Sequence, residues 1–491
     1  MMKEKLLSDI NNPLWIKKHN ITGVSIDSRL AQKGDIFIAI PSQNVKNNVL
    51  DAFQKGVRVF ILDLHDKHLE NDLPHCTCYI SENTRQDAAF ICGYIYQKKP
   101  KTIAYVTGTN GKSSTVSLLR QIWQYNNIEA ASIGTLGIER SFGIDKTYPV
   151  PSLTSLDPVS FHKTLSYLFD KNIEAVACEA SSHGIDQFRL DGVPITTAGF
   201  TNLTQDHLDY HKTMDAYFDA KSLLFSRILE EQKTAVINAD SPYFEKLKTI
   251  AKAKNQNIIA YGKQDFCDFK LLDARLQNGL YTLDLCFLGN ITKNVLFPLF
   301  GNFQFENLLC ASAMAFATGI KVTDIIATIL HLKSIKGRME LIGKTKTNGL
   351  IFVDYAHTPD ALERILKSIR SHNPNQVHLV FGCGGNRDAS KRPIMGKIAN
   401  DYADKIYITN DNPRFENAKE IRSQILSACP KGIEREDRAI AIAEAIQNLK
   451  ENDILIIAGK GHEEGQIING EILPFSDQDE AKKYISRESL E

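Results

Sequence analysis

The chain has 491 residues, 58 basic and 58 acidic, with 43% apolar content. Its length predicts roughly three domains at ~150 residues each, and its apolar share suffices for several packed cores. The zero formal charge supplies no global basic field for nucleic acid, no run approaches the ~18 apolar residues of a membrane span, and Met1 to Ile10 lacks the apolar core of a secretory signal. A cytoplasmic, monomeric protein with neither nucleic-acid nor membrane partners is the expectation.

Residues 1–97 contain short β-like runs at Gly23–Ile26, Asp35–Ile40 and Val57–Leu62, with helical patterns between them such as Val49–Lys55. This reads as a small N-terminal α/β domain. Cys76 and Cys78 make a lone Cys-x-Cys with no second pair, so they and the other seven cysteines read as structural thiols. The basic, proline-containing Gln97–Lys101 reads as a linker.

In residues 98–335 strands alternate with helices. Buried strands are predicted at Ile103–Val106, Ala175–Cys178, Thr197–Phe200, Thr234–Ile237 and Asn257–Ala260. This alternation predicts a central doubly wound sheet, with ligands at the carboxyl ends of its strands. After the first strand comes Gly108-Thr-Asn-Gly-Lys-Ser-Ser114, followed by a helical pattern. The glycines let backbone N–H groups turn onto a polyphosphate, Lys112 adds a mobile charge, and Ser113 can hold Mg²⁺. The common loop of this kind spaces its glycines further apart; here only Thr109 and Asn110 separate Gly108 from Gly111.

Two further clusters follow strands of this unit. Glu179-Ala-Ser-Ser-His-Gly-Ile-Asp-Gln-Phe-Arg189 is either a polar loop with helix-capping serines or a site for Mg²⁺ and an anionic substrate. Glu179 is a hard oxygen ligand, and Arg189 suits a carboxylate or phosphate. In Asn202-Leu-Thr-Gln-Asp-His-Leu-Asp-Tyr-His211, the i, i+4 pair His207 and His211 admits a zinc site, a capped helix start or a Mg²⁺-associated loop.

Residues 336–491 restart the pattern. Strands are predicted at Leu350–Val353, Val377–Phe381, Lys405–Ile408 and Ile454–Ile457, with helices at Pro359–Ser371, Ile394–Tyr402 and Asp437–Leu449. This reads as a Rossmann-like C-terminal domain. Loops after three strands carry Arg387, Asp411-Asn-Pro-Arg414 and Gly459-Lys-Gly-His-Glu463. Their mixed charges in one crevice suit a zwitterion such as an amino acid. The sequence shows no internal repeat.

The short phosphate loop resembles that of the Mur ligases and the related folylpolyglutamate synthases. Further matches run in order: Ile26-Asp-Ser-Arg29, Asn202 to His211, Gly301-Asn-Phe-x-x-x-Asn307, Gly337-Arg-Met-Glu340, Asp354-Tyr-Ala-His-Thr-Pro-Asp360, Asp411 to Arg414 and Gly459 to Glu463. The resemblance covers essentially the whole chain. It implies a UDP-sugar-binding first domain, a P-loop ATPase-like central domain and an amino-acid-binding third domain. It also implies an ATP- and Mg²⁺-dependent, amide-forming ligase of peptidoglycan precursor synthesis. A substrate carboxylate takes the γ-phosphate and becomes an acyl phosphate, which an incoming amine attacks.

The resemblance assigns residues as well. Gly108, Thr109, Asn110, Gly111, Lys112, Ser113, Ser114, Asn307, Arg338, Asp354 and His357 are expected around ATP. Ser113, Glu179, His207 and Lys221 are expected around metal, with Lys221 matching a family lysine that is carbamylated. Lys112, Glu179, His207 and Lys221 form the expected catalytic set. Ile26, Ser28, Thr154, Ser155, Ser181, Gln187 and Arg189 are expected to hold a UDP-N-acetylmuramoyl dipeptide. Arg387, Asp411, Asn412, Pro413, Arg414, Gly459 and Glu463 are expected to hold the amino acid. Asp411-Asn-Pro-Arg414 resembles the form that adds meso-diaminopimelate, whose distal carboxylate Arg414 can bind bidentately; lysine-adding members usually alter this motif. Two departures stand out. The family's Thr-Thr-Pro reads Thr154-Ser-Leu156, and the first-domain loop reads Ser42-Gln-Asn-Val-Lys-Asn-Asn48 where Asp-Gly is usual. A lysine-adding ligase, a folylpolyglutamate synthase-like ligase and a non-catalytic ATP-regulated binding protein are the competing readings.

Overall fold

The computed structural model describes residues 17–140, 143–145, 147–148, 151, 153–277 and 280–488. The first unit is a four-stranded parallel sheet in the order β1 (Gly23–Ser25), β2 (Asp35–Ile38), β3 (Val59–Asp63) and β4 (Thr77–Ser81). Every residue of β2 and β3 is buried, as expected of a parallel sheet covered on both faces. The helices Val45–Gln54 and Thr84–Ile95 belong to the same unit. Strand β4 was not among the predicted strands, and it takes in Cys78. All nine cysteines are free. Burial raises the thiols of Cys76 and Cys78, the latter to about 12, so neither offers a thiolate.

The expected linker is strapped down. Pro100 is buried, and Lys99 Nζ donates to Gly93 O at 3.0 Å and Gly192 O at 3.2 Å. The ammonium thereby ties the first unit to the second.

The central sheet contains, in chain order, β5 (Thr102–Thr107), β6 (Ala130–Gly134), β7 (Gly137–Arg140), β8 (Gly143–Ile144), β9 (Ala175–Glu179), β10 (Thr197–Phe200), β11 (Thr234–Asn238), β12 (Asn257–Gly262), β13 (Phe269–Gln277), β14 (Leu280–Phe287) and β15 (Asn290–Phe297). Their spatial order is β15-β14-β13-β12-β11-β10-β5-β9-β6-β7-β8. The strands from β12 to β6 pair in parallel. The chain leaves β5 for β6, returns to β9, then crosses to β10 on the other side of β5. That reversal opens a crevice at the carboxyl ends of β5, β9 and β10, where doubly wound sheets bind ligands. The antiparallel meander β13 to β15 extends the sheet and was not predicted from the sequence.

Behind the crevice, the helix Lys112–Tyr125 packs against the helix Gln304–Ala317 and the sheet. Trp123 is fully buried and its Nε1 donates to Thr318 Oγ1 at 2.9 Å. Truncating such an indole to alanine costs about 3–5 kcal/mol.

The third unit contains β16 (Glu340–Lys344), β17 (Leu350–Asp354), β18 (Val377–Phe381), β19 (Lys405–Ile408), β20 (Gly432–Glu434) and β21 (Ile454–Ala458), ordered β16-β17-β21-β18-β19-β20 with β16 antiparallel. A hairpin, β22 (Gly465–Ile468) with β23 (Glu471–Pro474), follows. The helix Pro359–Arg370 has an N-cap, Thr358, that accepts from Ala361 N. Pro359 opens its first turn, and Lys367 and Arg370 lie in the last. Leu362, Ile365, Leu366 and Ile369 supply its buried face. This unit meets the central meander at His372, which stacks on Phe300 with 3.7 Å between centroids and pairs with Tyr281 Oη at 2.7 Å. No described helix is long and apolar enough to cross a membrane.

Candidate active site

The loop after β5 needs its glycines. Gly108 has φ of 150° and Gly111 of 85°. A Cβ on Gly108 would lie 1.9 Å from Thr201 Oγ1, and one on Gly111 would lie 2.3 Å from Asn307 Oδ1. The end of β10 braces this loop. Thr109 N donates to Asn202 O at 2.9 Å, Asn110 N to Asn202 Oδ1 at 3.0 Å, and Thr201 Oγ1 to Asn110 O at 2.6 Å. Lys112 curls over its own loop, with Nζ donating to Gly108 O and Thr109 O at 2.8 Å each. Burial draws its amine below the usual lysine range, against the pull of Glu179 and Asp206.

Beside the loop lies a cavity of about 700 Å³ lined by Asn110, Gly111, Ser113, Ser114, Asn307, Arg338, Asp354 and His357. Phe303, Glu306, Arg364 and Ile365 also line it. The third unit closes one side. Asp360 Oδ2 accepts from Asn110 Nδ2 at 2.8 Å and Thr204 Oγ1 at 3.1 Å, and Arg338 Nη2 donates to Ser113 Oγ at 3.1 Å. Arg338 also lies over the Tyr355 ring, 4.5 Å from its centroid. Asp354 accepts from Met339 N and Ala356 N at 2.7 Å each. Burial nevertheless pushes its carboxyl up to about 6, opposed by Arg338 and these N–H groups.

On the β9 side, Glu179 accepts from Thr135 N at 2.9 Å and Thr135 Oγ1 at 3.2 Å. His207 has φ of 54°, and burial lowers its imidazole to about 4, leaving a neutral ring with a lone pair. Its Nε2 is 3.4 Å from Asp206 Oδ2, while His211 Nε2 pairs with Ser182 Oγ at 2.9 Å. Among the described residues, no three His, Cys, Asp or Glu side chains are placed to hold a metal ion. A zinc site on His207 and His211 therefore lacks a third ligand. Ser113, Glu179 and His207 are donors suited to a hard divalent cation. The buried Lys221 points its Nζ at Gly108 O, 2.8 Å away, and over the Tyr217 ring. Burial, aided by Lys112, holds that amine well below the usual ammonium range.

The hydroxyls expected around a nucleotide-sugar dipeptide are partly spent on structure. Ser155 Oγ donates to Glu179 O at 3.0 Å and accepts from Ser181 N and Ser181 Oγ at 3.0 Å each. Thr154 Oγ1 pairs with Thr135 Oγ1 at 3.2 Å. Gln187 props Arg189, whose Nε and Nη2 donate to Gln187 Oε1 at 3.1 and 2.7 Å. Ile26 and Ser28 line a separate cavity of about 1660 Å³ between the first unit and the helix Pro158–Asp170.

The loops after β18, β19 and β21 converge. Arg414 has φ of 55° and is held by main-chain bonds to Ile467 and Asn469 of the hairpin; its Nη1 donates to Gly385 O at 2.8 Å. Asn412 Nδ2 donates to Glu463 Oε2 at 2.8 Å, and Asn412 Oδ1 accepts from Ile467 N at 3.0 Å. The fully buried Lys460 donates to Gly465 O, Asn412 Oδ1 and Glu463 Oε2. A cleft of about 3700 Å³ is lined by Thr154, Ser155, Ser181, Arg189 and His207 from the central unit, and by Arg387, Asp411, Asn412, Arg414, Gly459 and Glu463 from the third.

Comparison with known proteins agrees with this layout. The Mur ligase middle domain matches residues 106–315, and the Mur ligase glutamate ligase domain matches residues 337–461. A relative from Agrobacterium fabrum, named UDP-N-acetylmuramoyl-L-alanyl-D-glutamate–2,6-diaminopimelate ligase, is 37% identical over 99% of this chain and 96% of its own. The chain belongs to the Mur ligase family. A solved structure with that same name is 32% identical, with a TM-score of 0.69 over 96% of this chain and 95% of that one. A Mur ligase structure from Thermotoga maritima in complex with ADP shares the fold, with a TM-score of 0.62 at 16% identity over 95% of this chain and 97% of that one.

In this Mur ligase, the residues expected around ATP gather at one cavity wall and its loop. Those expected around the amino acid, apart from Pro413, line the cleft together with Arg189 and His207. Gln187 does not line that cleft; it reaches it through Arg189. Sequence reasoning missed Thr135, Phe303, Glu306, Asp360, Arg364 and Lys460. Asp360 and Lys460 lay inside quoted motifs, so their position was visible. Their pairing with Asn110 and Asn412, far away in sequence, was not.

Proposed function

We propose that the chain is an ATP-dependent ligase that adds meso-2,6-diaminopimelate to the D-glutamate of UDP-N-acetylmuramoyl-L-alanyl-D-glutamate, in peptidoglycan precursor synthesis. The observation that carries it is the single cleft joining the phosphate-loop side of the central sheet to the Asp411–Arg414 loop. The names of the relatives and the ADP in the Thermotoga maritima structure agree with it. The first unit, to residue 97, would take the UDP end at the Ile26 and Ser28 cavity. The central unit, to residue 335, would take ATP, and the remainder the amino acid. We read the protein as a cytoplasmic monomer.

The loop N–H groups and Lys112 would cradle the phosphates, with Lys112 turning from its own carbonyls onto the γ-phosphate. Arg338, Asp354, Asn307 and His357 would hold the nucleoside side. Arg189 would steer the substrate carboxylate to the γ-phosphate, giving an acyl phosphate and ADP. The amine held by the third unit would then attack the acyl carbon and expel phosphate. Catalysis here is positioning plus neutralisation of phosphate charge. Mg²⁺ held by Ser113, Glu179, His207 and a carbamylated Lys221 would neutralise the phosphate oxygens when bound. Lys221 suits carbamylation because its buried amine is drawn toward the neutral, nucleophilic form. Its nitrogen would bond to the carbon of CO₂ and release one proton.

The test supplies ATP, Mg²⁺ and the muramoyl dipeptide with diaminopimelate, lysine or neither, and follows phosphate release and product mass. Product with diaminopimelate is expected. Turnover with lysine alone, or no turnover with any amino acid, would overturn the reading.

A further inference from the structure

One buried cation has no place in the chemistry above. Lys460 follows Gly459 on the loop after β21, and its side chain is 0% exposed. Its three N–H donors are all spent: on Gly465 O at 2.6 Å, on Asn412 Oδ1 at 3.2 Å and on Glu463 Oε2 at 3.2 Å. It therefore touches no substrate and acts only through the groups it holds.

Those groups face the cleft. Glu463 Oε2 takes a second bond from Asn412 Nδ2 at 2.8 Å, whereas no described group donates to Oε1. Asn412 Oδ1 is filled by Lys460 Nζ and by Ile467 N at 3.0 Å, and the Ile467 N–H fixes which side-chain atom of Asn412 is the oxygen. Asn412 thus has no acceptor left for a substrate ammonium; its amide can only donate. On the other side of Asn412, Arg414 is pinned through Nη1 to Gly385 O, and its Nε and Nη2 have no described acceptor. The result is an ammonium reader, Glu463 Oε1, and a carboxylate reader, Arg414, bracketing one asparagine. Glu463 also shares its cleft with Arg387, which is exposed and has no ion-pair partner among the described residues. Released from Lys460, its carboxylate would have guanidinium partners within that cleft, and the two readers would quench each other.

Resting on the amino-acid assignment made above, we propose that Lys460 is a positioning residue for amino-acid specificity. It holds Glu463 and Asn412 so that the site reads an ammonium and a carboxylate carried on the same carbon. A substrate with only an ammonium at its far end satisfies Glu463 and leaves Arg414 unpaired.

Steady-state kinetics of Lys460→Met in the full-length protein test this. The KM for diaminopimelate should rise at least tenfold, the preference over lysine should narrow by a similar factor, and the KM values for ATP and the muramoyl dipeptide should stay within twofold. A KM for diaminopimelate unchanged from wild type, or an equal rise for all three substrates, would overturn the proposal. Should Lys460→Met fold poorly by thermal melt, Lys460→Gln and Glu463→Gln replace it. The double variant should then be no worse for diaminopimelate than Glu463→Gln alone, and additive losses would overturn the coupling. Wild type without diaminopimelate turnover would instead sink the functional reading itself.

Discussion

The proposed phosphate loop and the proposed amino-acid loops occupy equivalent places, at the carboxyl ends of parallel strands, yet they are built in opposite ways. The loop after β5 turns inward on itself. Lys112 bonds its own carbonyls, Ser113 accepts from Arg338, and Asn110 donates to Asp360. The loops after β18, β19 and β21 turn outward, leaving Arg387, Arg414 and one oxygen of Glu463 toward the cleft while buried Lys460 holds their frame. A site for a polyphosphate can store its donors on the backbone and on short-range partners, and release them on binding. A site that must tell one amino acid from another is better rigid beforehand, because unpaired buried groups are what reject the wrong ligand.

The largest expected effect falls on the inward site. Lys112→Ala should lower kcat on the order of a thousandfold, as loss of a phosphate-neutralising group does, with the far-UV spectrum unchanged; retained turnover would break the comparison. On the outward site, Arg414→Ala should raise the KM for diaminopimelate roughly a hundredfold, the worth of a charge-assisted carboxylate contact of about 2–3 kcal/mol. The KM for ATP should not move. A smaller effect is expected where the third unit meets the phosphate loop. Asp360→Ala removes two cross-unit hydrogen bonds of about 1 kcal/mol each and should raise the KM for ATP about thirtyfold, read by initial rates at varied ATP.

The smallest expected effect lies away from both sites, at the seam between units. Burial lowers His372 to about 4 from an ordinary value of 6.5. The unfolded chain therefore binds the extra proton first. The stability this neutral ring contributes is complete above about pH 6.5 and is lost as pH falls toward 4. His372→Phe keeps the stack on Phe300 and removes the titration. The melting temperature of wild type should fall more than that of the variant between pH 7 and pH 5, by a few degrees; parallel curves would place the acid sensitivity elsewhere.

Much of the fold was legible because parallel strands buried on both faces read as continuous apolar runs, as Ile103–Val106 and Ile454–Ile457 do. The meander β13 to β15 was not, because it is antiparallel and exposes one side: β15 shows mostly exposed positions, and β13 is bulged between Leu271 and Asp273. Among the candidate site residues, Gly108 and Gly111 were legible since the loop's backbone geometry requires glycine there, and Lys112 since it directly follows them in the sequence. Ser155 was read as a substrate contact, and its hydroxyl is also a structural hinge between β9 and its loop. A hydroxyl's partner is chosen by whatever the fold brings within reach, and residue type says nothing of that.

By itself, then, the sequence determined the alternating α/β order, the glycine loop after β5 and the residue types of the proposed amino-acid site, since these follow from side-chain periodicity and local backbone need. Only the tertiary structure decided that Asn110 answers to Asp360, that Lys460 spends its charge on Asn412 and Glu463, and that two sets of loops from different sheets line one cleft. Apart from Lys460 and Glu463, three positions from each other, those pairings join residues tens to hundreds of positions apart. Their energies come from burial and fixed geometry, which exist only once the sheets have packed.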